Sequence, residues 1–397
     1  LHFCNSYNFQ WIIFRFFAIL ILFKVKFKVI LKIILSLIVL ALAYGLGYLY
    51  LNPQFGGRIS DEDKSRFSES PQWNGKVFEN ATETVMDINL STMPGLLKEQ
   101  FSDRAARAPK EKLPIAQFDG KVWQADTNPF SFIWFGHSVG LMKMAGLNLL
   151  IDPMFGPDAS PIGPFRTKRY SDSTLRIINE LPELDAVLIT HDHYDHLDYD
   201  SFQLLKGKVK HYYVPLGVKR HLLRWDIPSE MISEFDWWEN AKVGDIEITF
   251  VPARHFSGRG PFDRAESLWG GWTFVSSTHR VYWTGDGGYG EHFKEIGEKL
   301  GPFDWAFVEC GQYNKLWHAI HMYPEESVQA AIDMKAKTAI PIHWGAFTLA
   351  LHDWKNPVQR FKGEAESRNQ NIYMPEMGVP IAFADEQGKE YWWEKYE

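Results

Sequence analysis

The stretch LITHDHYDHLDYD, residues 188–200, holds three histidines and four aspartates and no cysteine. Imidazole and carboxylate without thiolate form a donor set that suits zinc, and less specifically iron or manganese. The apolar run AVLIT leads into the cluster, which places it on a loop at a strand end. In an extended loop side chains repeat every two residues, so His191 and His193 can turn the same way. Asp195 and His196, a little further on, can face a second point nearby.

One such loop supplies too few donors for two metals. Three later runs also end on a residue of metal-seeking type: ITFVPARHFSGR brings His255, VYWTGDGG brings Asp286, and TAIPIHWG brings His343. Four strand ends of this kind are far more specific than any one of them. A single buried histidine is more often a hydrogen-bonded core residue than a ligand. That plainer role stays open for His137, His279, His292, His318 and His352. It fits His191, His193 and His196 poorly, because imidazoles so dense are costly to bury without a cation between them. Asp286 alone would read equally well as a turn residue among glycines.

The stretches WFGHSVGLMKMAGLNLLIDPMF, THDHYDHLD, VPARHFSGRG, TGDGGY, HMYPEESVQAA and IHWGAF resemble the metallo-β-lactamase superfamily. Within it, the likeness is to the group of N-acyl-phosphatidylethanolamine-hydrolysing phospholipases D. The resemblance runs from about residue 117 to 385 and implies an α/β, αββα sandwich with a two-metal site at one edge of its sheets. It implies one zinc held by His191, His193 and His255, a second held by Asp195, His196 and His343, and Asp286 bridging the two. It further implies an active-site role for His321. Tyr194, between the ligands, is placed either to line the substrate pocket or to pack. Asp192 is expected to orient a ligand or to act in proton transfer. The activity implied is cleavage of a lipid phosphodiester by a metal-bridging hydroxide, releasing phosphatidic acid and an N-acylethanolamine.

Elements that could carry these loops are visible as short apolar runs. SFIWF, LNLLID, AVLIT, HYYVP, IEITFVP, GWTFVSS, RVYWTG, DWAFVE and TAIPIHW have the length and β-branched or aromatic content of strands. Helices are predicted over residues 93–106, 199–205, 217–225, 291–300 and 324–334. The last opens on Pro324, Glu325 and Glu326, favourable residues for a first turn. Strands joined by both turns and helices predict layered sheets flanked by helices.

Ahead of these elements, residues 33–51 read IILSLIVLALAYGLGYLYL, uncharged and about as long as a membrane-spanning helix requires. Tyr44, Tyr48 and Tyr50 sit near its far end, where amphipathic rings favour an interface. Lys24, Lys26, Lys28 and Lys32 precede it, and Asp61, Glu62 and Asp63 follow it. The positive-inside rule then puts the large body on the extracytoplasmic side. A cleavable signal peptide is the rival reading, with ALA at residues 41–43 as its cleavage site. The earlier run WIIFRFFAILILF is too short to span and contains Arg15. The expected organisation is therefore a basic N-terminus and membrane anchor over 1–52, a linker and N-terminal extension over 53–116, and a catalytic domain over 117–397.

The 397 residues carry a formal charge of −7. Six basic residues and no acid lie in the first sixty, so the remainder carries −13, which argues against a nucleic-acid partner. Cys4 and Cys310 are too few for a disulfide framework or a cysteine-rich zinc module. Leu222, Leu223, Trp225, Trp237 and Trp238 could dip into a membrane, though such residues are more often core. Two alternatives to a lipid phosphodiesterase stand: a lactonase or soluble phosphodiesterase using the same metals, and a membrane-tethered binding protein without catalysis.

Overall fold

The computed structural model describes residues 5–102, 106–160, 166–382 and 391–397. They form two compact units, Leu1–Asn52 and Pro53–Glu397. The first is one helix, α1 (Asn5–Leu51). The helix runs on through Arg15, since arginine is a good helix former and no proline occurs before Pro53. Within α1, Lys26–Leu51 is long and apolar enough to cross a membrane, with a mean hydropathy of 2.6.

The second unit begins with α2 (Asp61–Phe67), α3 (Met93–Gln100) and α4 (Gly120–Ala125). Strands β1 (Phe130–Trp134), β2 (Gly140–Met144) and β3 (Leu147–Ile151) form a meander. Then follow α5 (Ile177–Glu180), β4 (Ala186–Leu188), α6 (Tyr199–Leu205), β5 (Tyr212–Pro215), α7 (Lys219–Arg224) and β6 (Ile232–Phe235). Strands β7 (Asn240–Val243), β8 (Ile246–Pro252), β9 (Gly270–Val275) and β10 (Arg280–Trp283) open the second sheet. The remaining elements are α8 (His292–Lys299), β11 (Phe303–Glu309), α9 (Pro324–Asp333), β12 (Ala336–Ile342), α10 (Asn356–Arg368) and β13 (Ile381–Ala382).

Seven strands pair in the order β13-β1-β2-β3-β4-β5-β6, and six in the order β12-β11-β10-β9-β8-β7. The sheets stack as the inner layers of an αββα sandwich. Alternation along each strand divides its side chains between two buried faces. From the first sheet, Phe132, Trp134, Met142 and Leu149 meet Phe250, Trp272, Trp283 and Phe307 of the second. Ile133, Leu141, Leu150 and Val187 point the other way, into a core with Ile178, Phe202 and Leu222 of the covering helices. Burial on both faces is why these strands read as unbroken apolar runs. At Gly140 the sheets approach so closely that a Cβ would stand 2.4 Å from the Trp283 ring.

Residues 53–116, expected as a linker and N-terminal extension, carry the short helices α2 and α3 and pack against the body. Ser60 caps α2 through a reciprocal box with Asp63, and Phe67, Trp73 and Phe78 pack with ring centroids 4.9–5.4 Å apart. Phe67, Phe78 and Leu113 join the inter-sheet core, so aromatic burial holds this stretch to the body. The helix expected over 93–106 is found over Met93–Gln100, and residues 103–105 of that expectation lie outside the described residues. Leu222, Trp225 and Trp237 are core and Trp238 is partly buried, while Leu223 is exposed.

Candidate metal centre

Strand polarity brings the metal-seeking residues together. β1 and β3 both run antiparallel to β2, and β3 runs parallel to β4. In the second sheet β8 and β10 flank β9 antiparallel, and β10, β11 and β12 are mutually parallel. The C-terminal ends of β1, β3 and β4 therefore share one edge of their sheet, and those of β8, β10, β11 and β12 one edge of theirs. His137, Asp152, the 191–196 loop, His255, Asp286, Glu309 and His343 all stand at these ends.

Two sets of donors form. In the first, His193 Nδ1 lies 2.8 Å from His191 Nε2 and 3.2 Å from His255 Nε2. In the second, Asp195 Oδ2 lies 3.3 Å from His343 Nε2 and 3.6 Å from His196 Nε2. Asp286 Oδ2 faces both. It is 3.8 and 3.9 Å from His191 and His255 Nε2, and 3.2 and 2.9 Å from His196 and His343 Nε2. Asp286 Oδ1 is buried and has no hydrogen-bond partner among the described residues.

The donors suit cations. Burial, with repulsion from neighbouring rings, holds His191 and His255 well below their ordinary pKa. Burial likewise brings His193 down to about 4. Three neutral rings thus converge their lone pairs within hydrogen-bond distance, which a single shared proton cannot satisfy. Burial also opposes charge on His196, but Asp286, Asp195 and Asp152 outweigh it and lift its pKa to about 10. Positive charge is favoured at this second set. With the orphaned Asp286 oxygen, these are the features of a divalent-metal site.

The rings are oriented from behind, as metal-binding histidines usually are. His191 Nδ1 meets Thr190 Oγ1 at 3.1 Å, His255 Nδ1 donates to the Ile320 carbonyl at 3.0 Å, and His196 Nδ1 meets Asp152 Oδ2 at 2.9 Å. Glu309 Oε1 lies 3.6 Å from His343 Nδ1 and 2.9 Å from His321 Nδ1. Asp152 and Glu309 were not foreseen. Both end an apolar strand run on an acid, the same signal that marked Asp286.

His137 joins the second set: its Nε2 lies 2.8 Å from Asp195 Oδ2. His137 and His343 adopt left-handed φ values of 54° and 67°. Each is pinned by the other's strand end, His137 N–H donating to the Trp344 carbonyl and His343 N–H to the His137 carbonyl, both at 2.9 Å. Such strain in non-glycine residues persists where the surroundings over-determine it. His321 stacks on His343 at 5.3 Å and shares a cluster with His255 and Asp286.

Asp192 and Tyr194 are both held by hydrogen bonds to the surrounding scaffold. The Asp192 carboxylate is fully engaged away from the donor sets, so orientation rather than proton transfer describes its position. Oδ1 accepts from Gly258 N–H at 2.7 Å, and Oδ2 from Ser267 Oγ–H at 2.8 Å and His221 Nε2–H at 3.1 Å. Tyr194 is half-buried, its hydroxyl donating to the Arg259 carbonyl and its ring lying under the Arg259 guanidinium, which ties it into the scaffold. His318 pairs with Glu326, and His352 Nε2 accepts from Gln312 N–H.

Comparison with known proteins places this geometry. A model described as "Beta-lactamase superfamily domain" matches residues 147–344. A Mycobacterium tuberculosis protein of uncharacterised function is 35% identical over 330 residues, covering 82% of this chain and 88% of its own length. N-acyl-phosphatidylethanolamine-hydrolyzing phospholipase D 1 of Caenorhabditis elegans is 31% identical over 307 residues, covering 72% of this chain and 85% of that protein. The chain belongs to the metallo-β-lactamase superfamily. It is a metal-dependent hydrolase of that superfamily. The solved structure of Igni18, a metallo hydrolase of Ignicoccus hospitalis, shares the fold with a TM-score of 0.51 at 20% identity, covering 64% of this chain and 97% of its own. The superfamily match spans all seven positions of the two donor sets and Asp286. His137 and the packed segment 53–116 lie before it.

Proposed function

We propose that this hydrolase is a dinuclear zinc phosphodiesterase of phospholipase D type, cleaving N-acyl-phosphatidylethanolamine-like lipids to phosphatidic acid and N-acylethanolamine. One observation carries the dinuclear reading: Asp286 Oδ2 faces four imidazole nitrogens drawn from both donor sets. His191, His193 and His255 would hold one ion, Asp195, His196 and His343 the other, and Asp286 would be shared. Two zinc ions held there would supply Lewis acidity toward phosphoryl oxygens and would make a bound water acidic enough to attack at neutral pH.

The remaining roles belong to the chain. Glu309 accepts from His321 Nδ1–H and from Met322 N–H, which fixes the imidazole tautomer and leaves the Nε2 lone pair to take the proton given up by the attacking water and pass it to the leaving oxygen. Thr190, Asp152 and the Ile320 carbonyl hold ligand rings in place, so little reorganisation is needed during reaction. The lipid assignment draws on the activity named for the C. elegans relative. An apolar helix of spanning length supports it by keeping the body at a bilayer. The basic residues before that helix and the acids after it favour the extracytoplasmic side for the body.

The test is hydrolysis of N-acyl-phosphatidylethanolamine in mixed micelles by the zinc-loaded full chain, with bound zinc counted in the same preparation. Release of N-acylethanolamine, abolished by His191→Ala, is the expected result. Two zinc ions without lipid cleavage would refute the lipid assignment and direct the search to lactones and soluble phosphodiesters.

A further inference from the structure

The segment that precedes the sandwich carries none of the metal-binding pattern, yet it grips both loops that supply His191, His193 and His255. Asn80 Nδ2 donates to the His255 carbonyl at 2.8 Å, and Asn80 Oδ1 accepts from His255 N–H at 3.1 Å. This two-point pairing satisfies both backbone groups of a ligand residue that is buried just past the end of β8. Without it, two backbone groups would lose their partners in a buried setting. Trp269 Nε1–H also donates to Asn80 Oδ1, at 3.0 Å, and fixes the amide's orientation.

Residues 53–57 reach the other loop. Gly57 N–H donates to His221 Nδ1 at 3.0 Å, which commits His221 Nε2–H to Asp192, the residue between His191 and His193. Arg259 Nε donates to the Gln54 carbonyl at 2.8 Å, while its Nη1 donates to the carbonyls of Asp192 and Leu197 at 2.6 and 2.7 Å. The carbonyls of Pro53, Gly56 and Gly57 are taken by Trp225, Arg224 and Arg220. The approach demands glycine: at Gly56 (φ +69°) a Cβ would stand 1.9 Å from His221 Nδ1. Asp192 also receives Gly258 N–H, so the two loops are tied to each other as well.

We infer that residues 53–80 are the outer support of the three-histidine set, with Asn80 and His221 as positioning residues that hold its two loops in register. This rests on the metal-centre reading above. The superfamily match covers residues 147–344, so residues 53–80 lie outside it and His221 within it.

The test follows zinc release from the zinc-loaded full chain to a colorimetric chelator, comparing wild type, Asn80→Asp and His221→Phe. Asn80→Asp keeps the side-chain size and both acceptor contacts and removes the donor to His255, so it is the milder variant should His221→Phe fail to fold. Gly363→Ala is the control, since Gly363 lies within α10 with no atom near its Cβ position and no left-handed φ. The expected result is that one of two zinc ions leaves about tenfold faster in both variants, with the other ion and the control unchanged. Amide exchange over residues 253–258 should also quicken in metal-free Asn80→Asp. Two ions in the wild type with unchanged release from both variants would overturn this inference alone. A wild type that binds no zinc when zinc is replete would overturn the metal-centre reading and this inference together.

Discussion

His191, His193 and His255 bring three rings and no charge to their side of the metal centre. Asp195, His196 and His343 bring a carboxylate, with Asp152 and Glu309 behind the two rings and His137 against Asp195. Asp286 is common to both. Burial keeps the first set neutral. In the second, burial opposes charge on His343 but Asp286 and Asp195 outweigh it and raise its pKa well above the ordinary value. The difference teaches that a cation at the first set competes with few protons, whereas a cation at the second must displace them. The halves also differ in support. The first is gripped through backbone groups by a segment outside the superfamily match, the second through side-chain carboxylates at strand ends.

The largest effect should come from the residue both halves share. Asp286→Asn removes the charge that faces four imidazole nitrogens. Loss of several kcal/mol of stabilisation corresponds to about a thousandfold in turnover, read as initial rate at saturating lipid with zinc counted by atomic absorption. An Asp286→Asn chain that keeps two ions and native turnover would break the idea of a shared ligand.

The two halves can next be separated. His191→Ala and His343→Ala should each hold one ion where the wild type holds two. On lowering the pH from 8 toward 5, the ion left in His191→Ala, which depends on the proton-loving second set, should leave first. The ion left in His343→Ala should persist to lower pH, because His193 takes a proton only near pH 4. Zinc content after desalting at each pH reads this order, and the reverse order would undo the comparison.

Smaller again are the supports. Asp152→Asn and Glu309→Gln weaken the ring orientation of His196 and of His321 with His343. Each should cost about 10–100-fold in affinity for one ion, measured by competition with a fluorescent chelator. Equal weakening of both ions would mean that Asp152 and Glu309 act on the fold rather than on the second set.

The contrast between the halves also explains what was legible in the sequence. Candidate ligands at the ends of β4, β8, β10 and β12 were visible because each follows an apolar run and has a metal-seeking side chain. The αββα sandwich followed from motifs that resemble a known family, with the strand runs agreeing. Strand β2 was missed because GLMKM carries a lysine. Lys143 is in fact buried, its ammonium donating to the carbonyls of Trp123, Gln124 and Asp126. His137 could be seen as a residue but not as a partner of Asp195, since that contact depends on two left-handed turns meeting. Asn80 and His221 carried no signal at all. Their work is done on backbone groups and on a second residue across 175 and 29 positions of chain, a relation that neither spacing nor residue type encodes.

The smallest effect concerns Asp192 and tests whether its carboxylate is structural. Burial would raise its pKa, but the His221 hydrogen bond and the nearby Arg220 charge outweigh this and hold it well below the ordinary carboxylate range. A carboxylate depressed in the folded state contributes stability that is fully present above the unfolded pKa, about 3.9, and declines progressively as pH falls from there toward the lower folded-state pKa. Asp192→Asn should therefore cost about 1.5–3 kcal/mol at neutral pH and less below pH 4, so that the two stability curves converge on the acid side. Thermal unfolding of the metal-free full chain in detergent, from pH 7 to pH 3, measures this without interference from zinc loss. Parallel curves would show that the Asp192 charge is not what the three donors hold, and would leave shape alone to explain its burial between two ligands of the neutral half.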